Sequence, residues 1–530
     1  MGVRSKSRIF PFYVPPRRQP PKPLDPELFL KAVRTAPRGG AAGPSGWRLE
    51  DYTLVGKYHM VPDATASSTL YKVAQAIYEG KVPAAFQPYW AGGRLIALTK
   101  PNGKLRPIVV GEALRRLVGS AVSRMHKSEA AVYFAPARNQ GDVGEGQIAQ
   151  AVQAAQLGVG TQGGLEEIVH TVTIALQCHP FSLNPAPNLN TDSDSDNDGD
   201  NDSDSLPSRK RNPTSEGWVC ISVDFRNFFN TISRPAIFRT LLDNPQFLDM
   251  YPLLSQLYSK ESPGRLWADL GGDDWDDILS KEGVHQGCSF GSFLASLGLQ
   301  PVLQKVASKM SCGSVSAYCD DVKICAPTKV ALEAYNTLTR LAKELLGIDE
   351  VPSKGSIMWE GEGSPDLSKF PLLMPGVRTR ITHDRHLGVF IGDSRPASVR
   401  AVKDALMEKF TEKAHLISRL SILSDPQVKF NLLRCCASTR PGFWLRTMSP
   451  DLTLEAAEWY DCQLRASLSG IVGQLTDESW SLFTKPAHLS GRGVISACRQ
   501  HSPCCPLCVL VCLLCQHLTV FPLCRPTHRY

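Results

Sequence analysis

Two short runs of β-forming residues flank a pair of adjacent acids in the stretch VSAYCDDVKI, residues 315–324. The alternation of apolar and polar residues predicts two antiparallel strands, with Asp320 and Asp321 in the tight bend between them. Two carboxylates this close repel each other, and burying either one without a counter-charge costs free energy. A divalent cation would relieve that repulsion, although on the pair alone solvated acids in an ordinary turn are the simpler interpretation.

A third acid ends another predicted strand in the stretch VCISVDFRNFFN, residues 219–230. Val219, Ile221 and Val223 alternate as a half-buried strand requires, and Asp224 follows where the chain turns into a helix. Carboxylates from neighbouring strands can hold two Mg²⁺ ions about 4 Å apart, which stabilise the attacking and leaving oxygens of phosphoryl transfer. The two stretches together therefore predict a phosphoryl-transfer site.

Further segments stand in a defined order around these acids. KPNGKLRPI (100–108) is a basic turn after a predicted strand, GVHQGCSFGS (283–292) is a glycine-rich loop before a predicted helix, and PSK (352–354) follows the acidic hairpin. In this order the segments resemble those of reverse transcriptases, and specifically the reverse transcriptases of non-LTR (LINE-like) retrotransposons. Any one motif is a weak signal, whereas four in sequence are specific.

Four motifs within residues 40–490 carry the resemblance. They are motif A (Asp224 and Phe229), motif B (Gln286 and Gly287), the Tyr-x-Asp-Asp box of motif C (Tyr318 to Asp321) and motif D (Pro352 to Lys354). Two positions depart from the family pattern, because Cys288-Ser289 stands where Asp-Pro is usual and Phe228 where a small residue is usual. Every acid of the pattern is present.

The resemblance implies an α/β (α+β) fold of the right-hand polymerase type. Its expected parts are helical fingers, a ferredoxin-like antiparallel palm sheet backed by helices, and a helical thumb. The expected boundaries are a basic, proline-rich arm that is extended (1–40), fingers (41–179), a disordered acidic insertion (180–216), palm (217–395), thumb (396–490) and a Cys-rich tail (491–530).

Apolar periodicity adds expectations for individual elements. They are helices over 70–78, 114–125, 147–157, 165–175 and 293–306, a strand over 94–98, a long thumb helix from 396, and a second thumb helix capped by Asp425-Pro426.

The implied activity is that of an RNA-directed DNA polymerase, a nucleotidyltransferase that joins a dNTP to the 3′-hydroxyl of a primer. Its implied partners are an RNA template, a DNA primer or target, and the dNTP. By resemblance, Asp224 and Asp320 bind two Mg²⁺ ions (or Mn²⁺), Asp321 supports them from the hairpin, and the Phe225 carbonyl faces the metal-bound triphosphate. Lys354 donates a proton to the leaving pyrophosphate or neutralises it.

The same resemblance assigns residues to the substrates. Lys100 and Arg106 match finger residues that hold the phosphates of the incoming nucleotide, with Lys as a point charge and Arg as a bidentate fork; a solvated basic turn is the alternative. Phe229 matches the ring that excludes a ribose 2′-hydroxyl, with core packing as the alternative. The remaining substrate-binding residues by resemblance are Gln286 and Gly287, against the template–nucleotide base pair, and Tyr318.

Charge and composition fit a nucleic-acid partner. The 530 residues are 42% hydrophobic and 21% charged, which is typical of globular proteins and excludes a mostly disordered chain or a coiled-coil rod. The net charge is +7, and without the seven aspartates of residues 192–204 the other 523 residues carry +14, which suits a phosphate backbone. Basic residues of the predicted thumb are expected along that backbone or on a merely solvated face: Lys403, Lys409, Lys413 and Arg419.

The sequence also bears on the compartment. It has neither a secretory signal nor an apolar run of about eighteen residues, so an intracellular protein outside the membrane is expected. The cysteines scattered over 178–462 are then expected to be reduced. Arg209-Lys210-Arg211 is a candidate nuclear address.

Two segments have a metal-binding alternative. Asp194, Asp196 and Asp198 match the start of a calcium loop, but Ser205 stands where a bidentate Glu is needed, so a disordered insertion is preferred. The Cys-rich tail contains pairs with zinc-like spacing at 505–508 and 512–515, but the residues around them are apolar, which is typical of an unrelated reading frame.

Two other functions stay open as alternatives. An RNA-dependent RNA polymerase would share the acids, but Phe229 and the Tyr-x-Asp-Asp box argue against it. A catalytically decayed retroelement fragment, which at most binds nucleic acid, is favoured by the unusual tail and by the lack of an endonuclease-like region. The intact Asp224, Asp320 and Asp321 argue against decay.

Overall fold

A computed structural model describes residues 22–57, 65–100, 103–135, 152, 154–181, 217–258, 263–269, 275–366, 378–379 and 383–501. The predictions for the acidic tract, the candidate nuclear address and the cysteine pairs of the tail lie outside these residues. Among the residues described, no helix is both long and apolar enough to cross a membrane.

The helices are, in chain order, α1 (Pro26–Arg34), α2 (Leu49–Lys57), α3 (Thr65–Tyr78), α4 (Gln87–Ala91), α5 (Ala113–Met125), α6 (Lys127–Phe134), α7 (Gly164–Cys178), α8 (Phe228–Thr231), α9 (Arg234–Asp243), α10 (Tyr251–Leu257), α11 (Gly291–Ala307), α12 (Thr328–Leu341), α13 (Pro396–Arg419), α14 (Pro426–Leu432), α15 (Gly442–Thr447), α16 (Pro450–Val472), α17 (Asp477–Thr484) and α18 (Ala497–His501). The strands are β1 (Gly93–Thr99), β2 (Leu105–Val110), β3 (Ala154–Gln156), β4 (Trp218–Val223), β5 (Gly264–Asp269), β6 (Trp275–Ser280), β7 (Ser314–Tyr318), β8 (Asp321–Pro327), β9 (Ser356–Trp359), β10 (Arg378–Thr379), β11 (His383–His386) and β12 (Val389–Gly392).

The central sheet has the strand order β10-β9-β4-β8-β7-β3. Its four inner strands are antiparallel neighbours, whereas β10 pairs with β9, and β3 with β7, in parallel. The expected α/β polymerase-type fold is therefore observed, but the purely antiparallel palm sheet is wrong at both edges. The chain between each edge strand and its partner is too long for a tight hairpin, so a parallel direction is possible.

Both faces of the central sheet are covered by helices. Val219, Ile221 and Val223 of β4 are buried in one hydrophobic cluster with residues of α11 and α12. On the opposite face Cys220 and Cys325 belong to a second cluster, which includes α7 and the thumb helices. The alternation that predicted β4 thus reflects two separate cores, because successive strand residues point to opposite faces.

A second sheet has the order β2-β1-β5-β6 and is called the fingers sheet below, because β1 and β2 lie in the range expected for the fingers. Its strand β1 pairs antiparallel with β2 and parallel with β5. The expectation of helical fingers is therefore incomplete. Strands β5 and β6 come from residues 264–280, inside the range expected for the palm, and pairing across such a distance leaves no local signal in the sequence.

Residues near the start of the described chain correct the prediction of an extended arm over residues 1–40. The Asp25 carboxylate accepts a hydrogen bond from the Leu28 N–H at 2.9 Å and caps α1, and Pro26 suits the first helical turn because its missing N–H is not needed there. Phe29 and Val33 are fully buried in the core. The proline content outweighed this apolar spacing in the sequence-based prediction.

The other predicted elements are mostly confirmed. Helices α3, α5, α7 and α11 and strand β1 cover their predicted ranges, and the Asp425 carboxylate accepts the N–H groups of Gln427 and Val428 at the start of α14. The long helix predicted from residue 396 is α13, in which Val402, Leu406, Phe410 and Ile417 are buried at helical spacing. The helix predicted over 147–157 is wrong at its end, because residues 154–156 form strand β3.

Candidate active site

The predicted acids meet at one end of the central sheet. Val223 of β4 pairs with Val322 of β8, so Asp224 follows the last paired residue of one strand and Asp321 precedes its partner. Tyr318 pairs with Asp321, which leaves Cys319 and Asp320 as a two-residue hairpin loop. The hairpin prediction is confirmed, and the sheet register brings the two acidic stretches together.

The pKa of the Asp320 carboxyl depends on burial and on the charges of Asp224, Asp321 and Lys354. Burial raises its pKa from 3.8 to about 6, and the negative charges of Asp321 and Asp224 act in the same direction, while the Lys354 ammonium opposes them. Burial and like charges both disfavour ionisation of a carboxyl group. The four groups therefore form one electrostatic unit with an excess of negative charge.

Lys354 binds Asp224 directly. Its Nζ lies 2.6 Å from the Oδ1 of Asp224, and its side chain is half exposed. Two backbone hydrogen bonds keep the segment before Lys354 next to Asp224. The Val351 N–H donates to the Asp224 carbonyl at 2.9 Å, and the Arg226 N–H donates to the Asp349 carbonyl at 2.7 Å. The segment before Lys354 thus lies along the residues that follow β4.

Asp321 has a different cation. The Nζ of Lys323 lies 3.5 Å from its Oδ1 and donates to the Ser222 Oγ at 3.0 Å. Lys323 is only 3% exposed, so it is a buried counter-charge beneath the acids. Lys323 is not among the predicted site residues, although a charged residue inside the alternating apolar run of β8 was a usable signal.

The donor set suits a hard cation such as Mg²⁺, which prefers carboxylate oxygens. Asp224 and Asp320 supply two such groups, and a bound cation would offset both the burial and the neighbouring negative charges that raise the pKa of Asp320. Within the described ranges no group of three or more His, Cys, Asp or Glu side chains is arranged to hold a metal ion. Asp224 and Asp320 could hold such a cation, and Asp321 lies beside them with Lys323 as its ion-pair partner.

Phe225 and Phe229, the two phenylalanines with predicted roles at the site, differ in environment. The Phe225 side chain is buried, and the isolated bridge that it forms with Glu350 uses the Arg226 N–H and the Asp224 carbonyl. The Phe225 carbonyl is therefore not used by that bridge. Phe229 is half-buried and packs edge-on against Phe228, with ring centroids 5.5 Å apart. Phe229 thus packs against Phe228 and remains partly exposed.

The motif B loop is fastened to the fingers sheet. The Val109 N–H of β2 donates to the Gln286 carbonyl at 2.8 Å. Gly287 has a φ of +101°, and a Cβ there would lie 2.8 Å from the Val109 carbonyl oxygen. The close approach that requires glycine is thus made to β2, which accounts for this residue without the expected base pair.

A buried arginine holds the same loop from behind. Arg234 donates from Nε to the Gly283 carbonyl at 2.7 Å and from Nη1 to the Ser280 carbonyl at 2.8 Å. The Ser280 Oγ lies 2.6 Å from Nε2 of His285, and burial together with nearby Arg115 and Arg234 lowers the pKa of His285 to about 3. His285 is therefore neutral in the folded protein near neutral pH.

The other predicted substrate residues lie on two elements. Lys100 and Arg106 stand on the β1–β2 hairpin, where the Lys100 N–H donates to the Lys104 carbonyl at 2.8 Å and Arg106 pairs with Leu98. Tyr318 ends β7 beside the acids, and burial, the Cys319 thiol and Glu166 raise its pKa. The two basic residues thus belong to the fingers sheet, while Tyr318 belongs to the central sheet.

Two of the predicted thumb lysines are already paired. Lys409 and Lys413 donate to opposite oxygens of Glu412 at 2.8 and 2.9 Å, and these hydrogen bonds lower the pKa of Glu412 to about 2. The three side chains present one net positive charge, which is less than the sequence suggested for a phosphate-binding face.

Comparison with known proteins identifies the domain that contains this site. Residues 98–359 match the family model described as "Reverse transcriptase (RNA-dependent DNA polymerase)". The matched range begins in β1, ends with β9, and includes Asp224, Asp320 and Lys354. These residues are therefore similar in sequence to the reverse transcriptase family. No curated protein matches the chain in sequence.

Telomerases are among the solved structures to which the chain is similar. One is telomerase from Candida albicans in complex with a TWJ fragment of telomeric RNA, with 10% identity, a TM-score of 0.39, and coverage of 89% of this chain and 74% of that chain. Another is apo telomerase from Candida tropicalis, with 10% identity, a TM-score of 0.36, and coverage of 74% and 63%.

Proposed function

We propose that this protein is the reverse transcriptase of a non-LTR retrotransposon, which extends a DNA primer by copying an RNA template. One observation carries the proposal: Asp224, Asp320 and Lys354, from three separate motifs, act on one another electrostatically at one end of the sheet. The family match over residues 98–359 supports the same polymerase chemistry.

The reaction is an in-line phosphoryl transfer. The primer 3′-hydroxyl releases its proton to solvent and its oxygen forms a bond to the α-phosphorus of the dNTP. The bond from that phosphorus to the bridging oxygen breaks, and pyrophosphate leaves. Asp224 and Asp320 would hold Mg²⁺, with Mn²⁺ as a substitute, and the bound metal supplies charge neutralisation for the attacking and leaving oxygens. Asp321 supports the site from the hairpin and keeps its own counter-charge in Lys323.

Lys354 is a candidate donor of the proton that the leaving pyrophosphate accepts. Its ammonium group is half exposed and already lies within the cluster of acids. In the proposed reaction this group gives a proton to the leaving pyrophosphate or neutralises its charge. When substrate is absent, the same ammonium offsets the charge of Asp224.

The substrates are positioned by residues on both sheets. Lys100 and Arg106 hold the triphosphate from the β1–β2 hairpin, Gln286 and Gly287 pack against the template–nucleotide base pair, and Tyr318 is a further substrate contact. Phe229 excludes the ribose 2′-hydroxyl with its exposed ring edge, so that dNTP is preferred over rNTP. Contacts with the RNA template and the DNA primer are mainly to phosphates, which position the duplex without reading its sequence.

Primer extension by the purified full-length chain tests the proposal. An RNA template annealed to a DNA primer is incubated with dNTP or with rNTP, in Mg²⁺ or in Mn²⁺, and Asp320→Ala is the control. Extension with dNTP by the wild type alone supports the proposal. Equal inactivity of both proteins, with retained duplex binding, favours the decayed fragment, and a preference for rNTP favours an RNA polymerase.

A further inference from the structure

The buried side chain of Gln156 binds the backbone of the hairpin loop that carries Asp320. Gln156 ends β3 and is fully buried. Its Oε1 accepts the Cys319 N–H at 2.8 Å, and its Nε2 donates to the Cys319 carbonyl at 3.1 Å. Both backbone groups of the residue before Asp320 are therefore satisfied by one side chain.

The orientation of this amide follows from its partners. Besides the Cys319 N–H, the Gly158 N–H also donates to Oε1, at 3.2 Å. A flipped amide would set its NH₂ group against two N–H donors and its oxygen against a carbonyl. Oε1 is thus the acceptor of two bonds and Nε2 the donor of one.

Cys319 needs such a partner because its backbone is unusual. Its φ is +56°, in the left-handed region, which costs a residue with a side chain about 1 kcal/mol or more. Gly158 keeps this arrangement possible, since a Cβ there would lie 2.8 Å from the Cys319 nitrogen. The Leu157 N–H also donates to the Ala317 carbonyl at 2.7 Å, so β3 follows the hairpin up to its loop.

We infer that Gln156 is a positioning residue for the polymerase reaction, which holds the left-handed Cys319 peptide and thereby aims the Asp320 carboxylate. The inference rests on the proposed function, in which the Asp320 carboxylate would bind the catalytic metal ion. Gln156 is fully buried and bonded to Cys319, so we assign it no direct contact with substrate or metal. It acts through the loop, and a loop released at Cys319 carries Asp320 away from its working position.

The chain offers a matched control in Gln300 of α11. Gln300 is also fully buried, but neither atom of its amide has a hydrogen-bond partner among the described residues. Replacing either glutamine by methionine keeps a similar volume and removes a buried amide. Only at position 156 does the change remove hydrogen bonds to the catalytic hairpin.

The experiment compares Gln156→Met, Gln156→Glu and Gln300→Met in the full-length chain. We expect both Gln156 variants to lower kcat by about 10- to 100-fold, because misplacement of a reacting group by about 1 Å is this costly. The KM for dNTP should change by about twofold or less, because the nucleotide contacts are intact. Gln300→Met should keep both constants.

Hydrogen exchange supplies a readout that does not depend on activity. In Gln156→Met the Cys319 amide should exchange about tenfold faster or more, while exchange in α11 and α12 is unchanged. Adding Cys319→Gly should restore part of kcat, since glycine adopts positive φ without strain. A purely structural role at position 156 would slow catalysis only in proportion to unfolding, with no such rescue.

The outcomes separate this inference from the proposed function. An active wild type whose Gln156 variants keep kcat and Cys319 protection overturns the inference alone, as does an equal loss in Gln300→Met. A wild type inactive with every template overturns the proposed function and the inference with it.

Discussion

The Nζ atom of Lys354 lies 2.6 Å from Oδ1 of Asp224, although 130 positions separate the two residues along the chain. This ion pair joins the last motif of the site to the first. It places the reaction's candidate proton donor against a candidate metal ligand, so the two roles can be tested separately by replacing each residue.

Replacing Lys354 should slow the chemical step. We expect Lys354→Met to lower kcat by about 100-fold, a typical effect of removing a general acid, with a smaller change in the KM for dNTP. Single-turnover primer extension measures this. Lys343→Met is the matched control, because Lys343 is exposed and binds Asp349 at 2.6 Å rather than the acids. Equal losses in both variants would show that charge alone matters.

Removing the Asp320 charge should stabilise the metal-free protein while abolishing activity. Since the folded-state pKa of Asp320 is raised from 3.8 to about 6, its ionised form disfavours folding above that range, and the free energy of unfolding rises as pH falls from 7 towards 4. Asp320→Asn should remove this dependence and add up to about 3 kcal/mol at neutral pH. Urea unfolding with EDTA measures it, and Asp404→Asn, at an exposed site, should have little effect.

His285 should make the fold sensitive to acid. Its folded-state pKa is lowered from 6.5 to about 3. Its contribution to stability is therefore fully present above pH 6.5 and is lost as the pH falls from 6.5 to about 3. The expected slope is about 1.4 kcal/mol per pH unit. His285→Gln should reduce the slope in urea titrations at several pH values. His415→Gln, at an exposed position, should retain it, and an unchanged slope in His285→Gln would contradict the burial argument.

Gly287→Ala should destabilise the contact between the motif B loop and β2. The backbone at φ +101° disfavours alanine, and the new methyl group would meet the Val109 carbonyl oxygen at 2.8 Å. We expect a loss of about 1–3 kcal/mol in the free energy of unfolding, together with lower polymerase activity. Gly470→Ala is the control, because a methyl group added to this helical glycine would have no other group within 4 Å, and the change should be neutral or stabilising.

Phe229→Val should relax the choice of sugar. If the exposed edge of the ring borders the ribose, a smaller side chain raises the incorporation of rNTP relative to dNTP by about 10- to 100-fold. Competing incorporation of the two nucleotides into one primer measures the ratio. A ratio that stays at the wild-type value would mean that Phe229 serves only to pack against Phe228.

Local patterns in the sequence were enough for much of this protein. The strand that ends at Asp224, the hairpin that carries Asp320 and the cap at Asp425 were all predicted, because alternation, turn geometry and capping act within a few residues. The order of the motifs likewise indicated a reverse transcriptase, and residues 98–359 match the model of that family.

Other features depended on segments that are far apart in the chain. Residues 154–156 have helix-forming side chains, yet they form β3, because pairing with β7 and the bonds from Gln156 to Cys319 outweigh local preference. The pairing of β5 with β1 was missed for the same reason. The helix around Phe29 and the buried Lys323 did have local signals, but the proline content outweighed the first and the second was overlooked. What the sequence determined was each element and its chemistry; the tertiary structure decided which charges meet and what holds Asp320 in place, because those contacts form only when the sheet and its covering helices assemble.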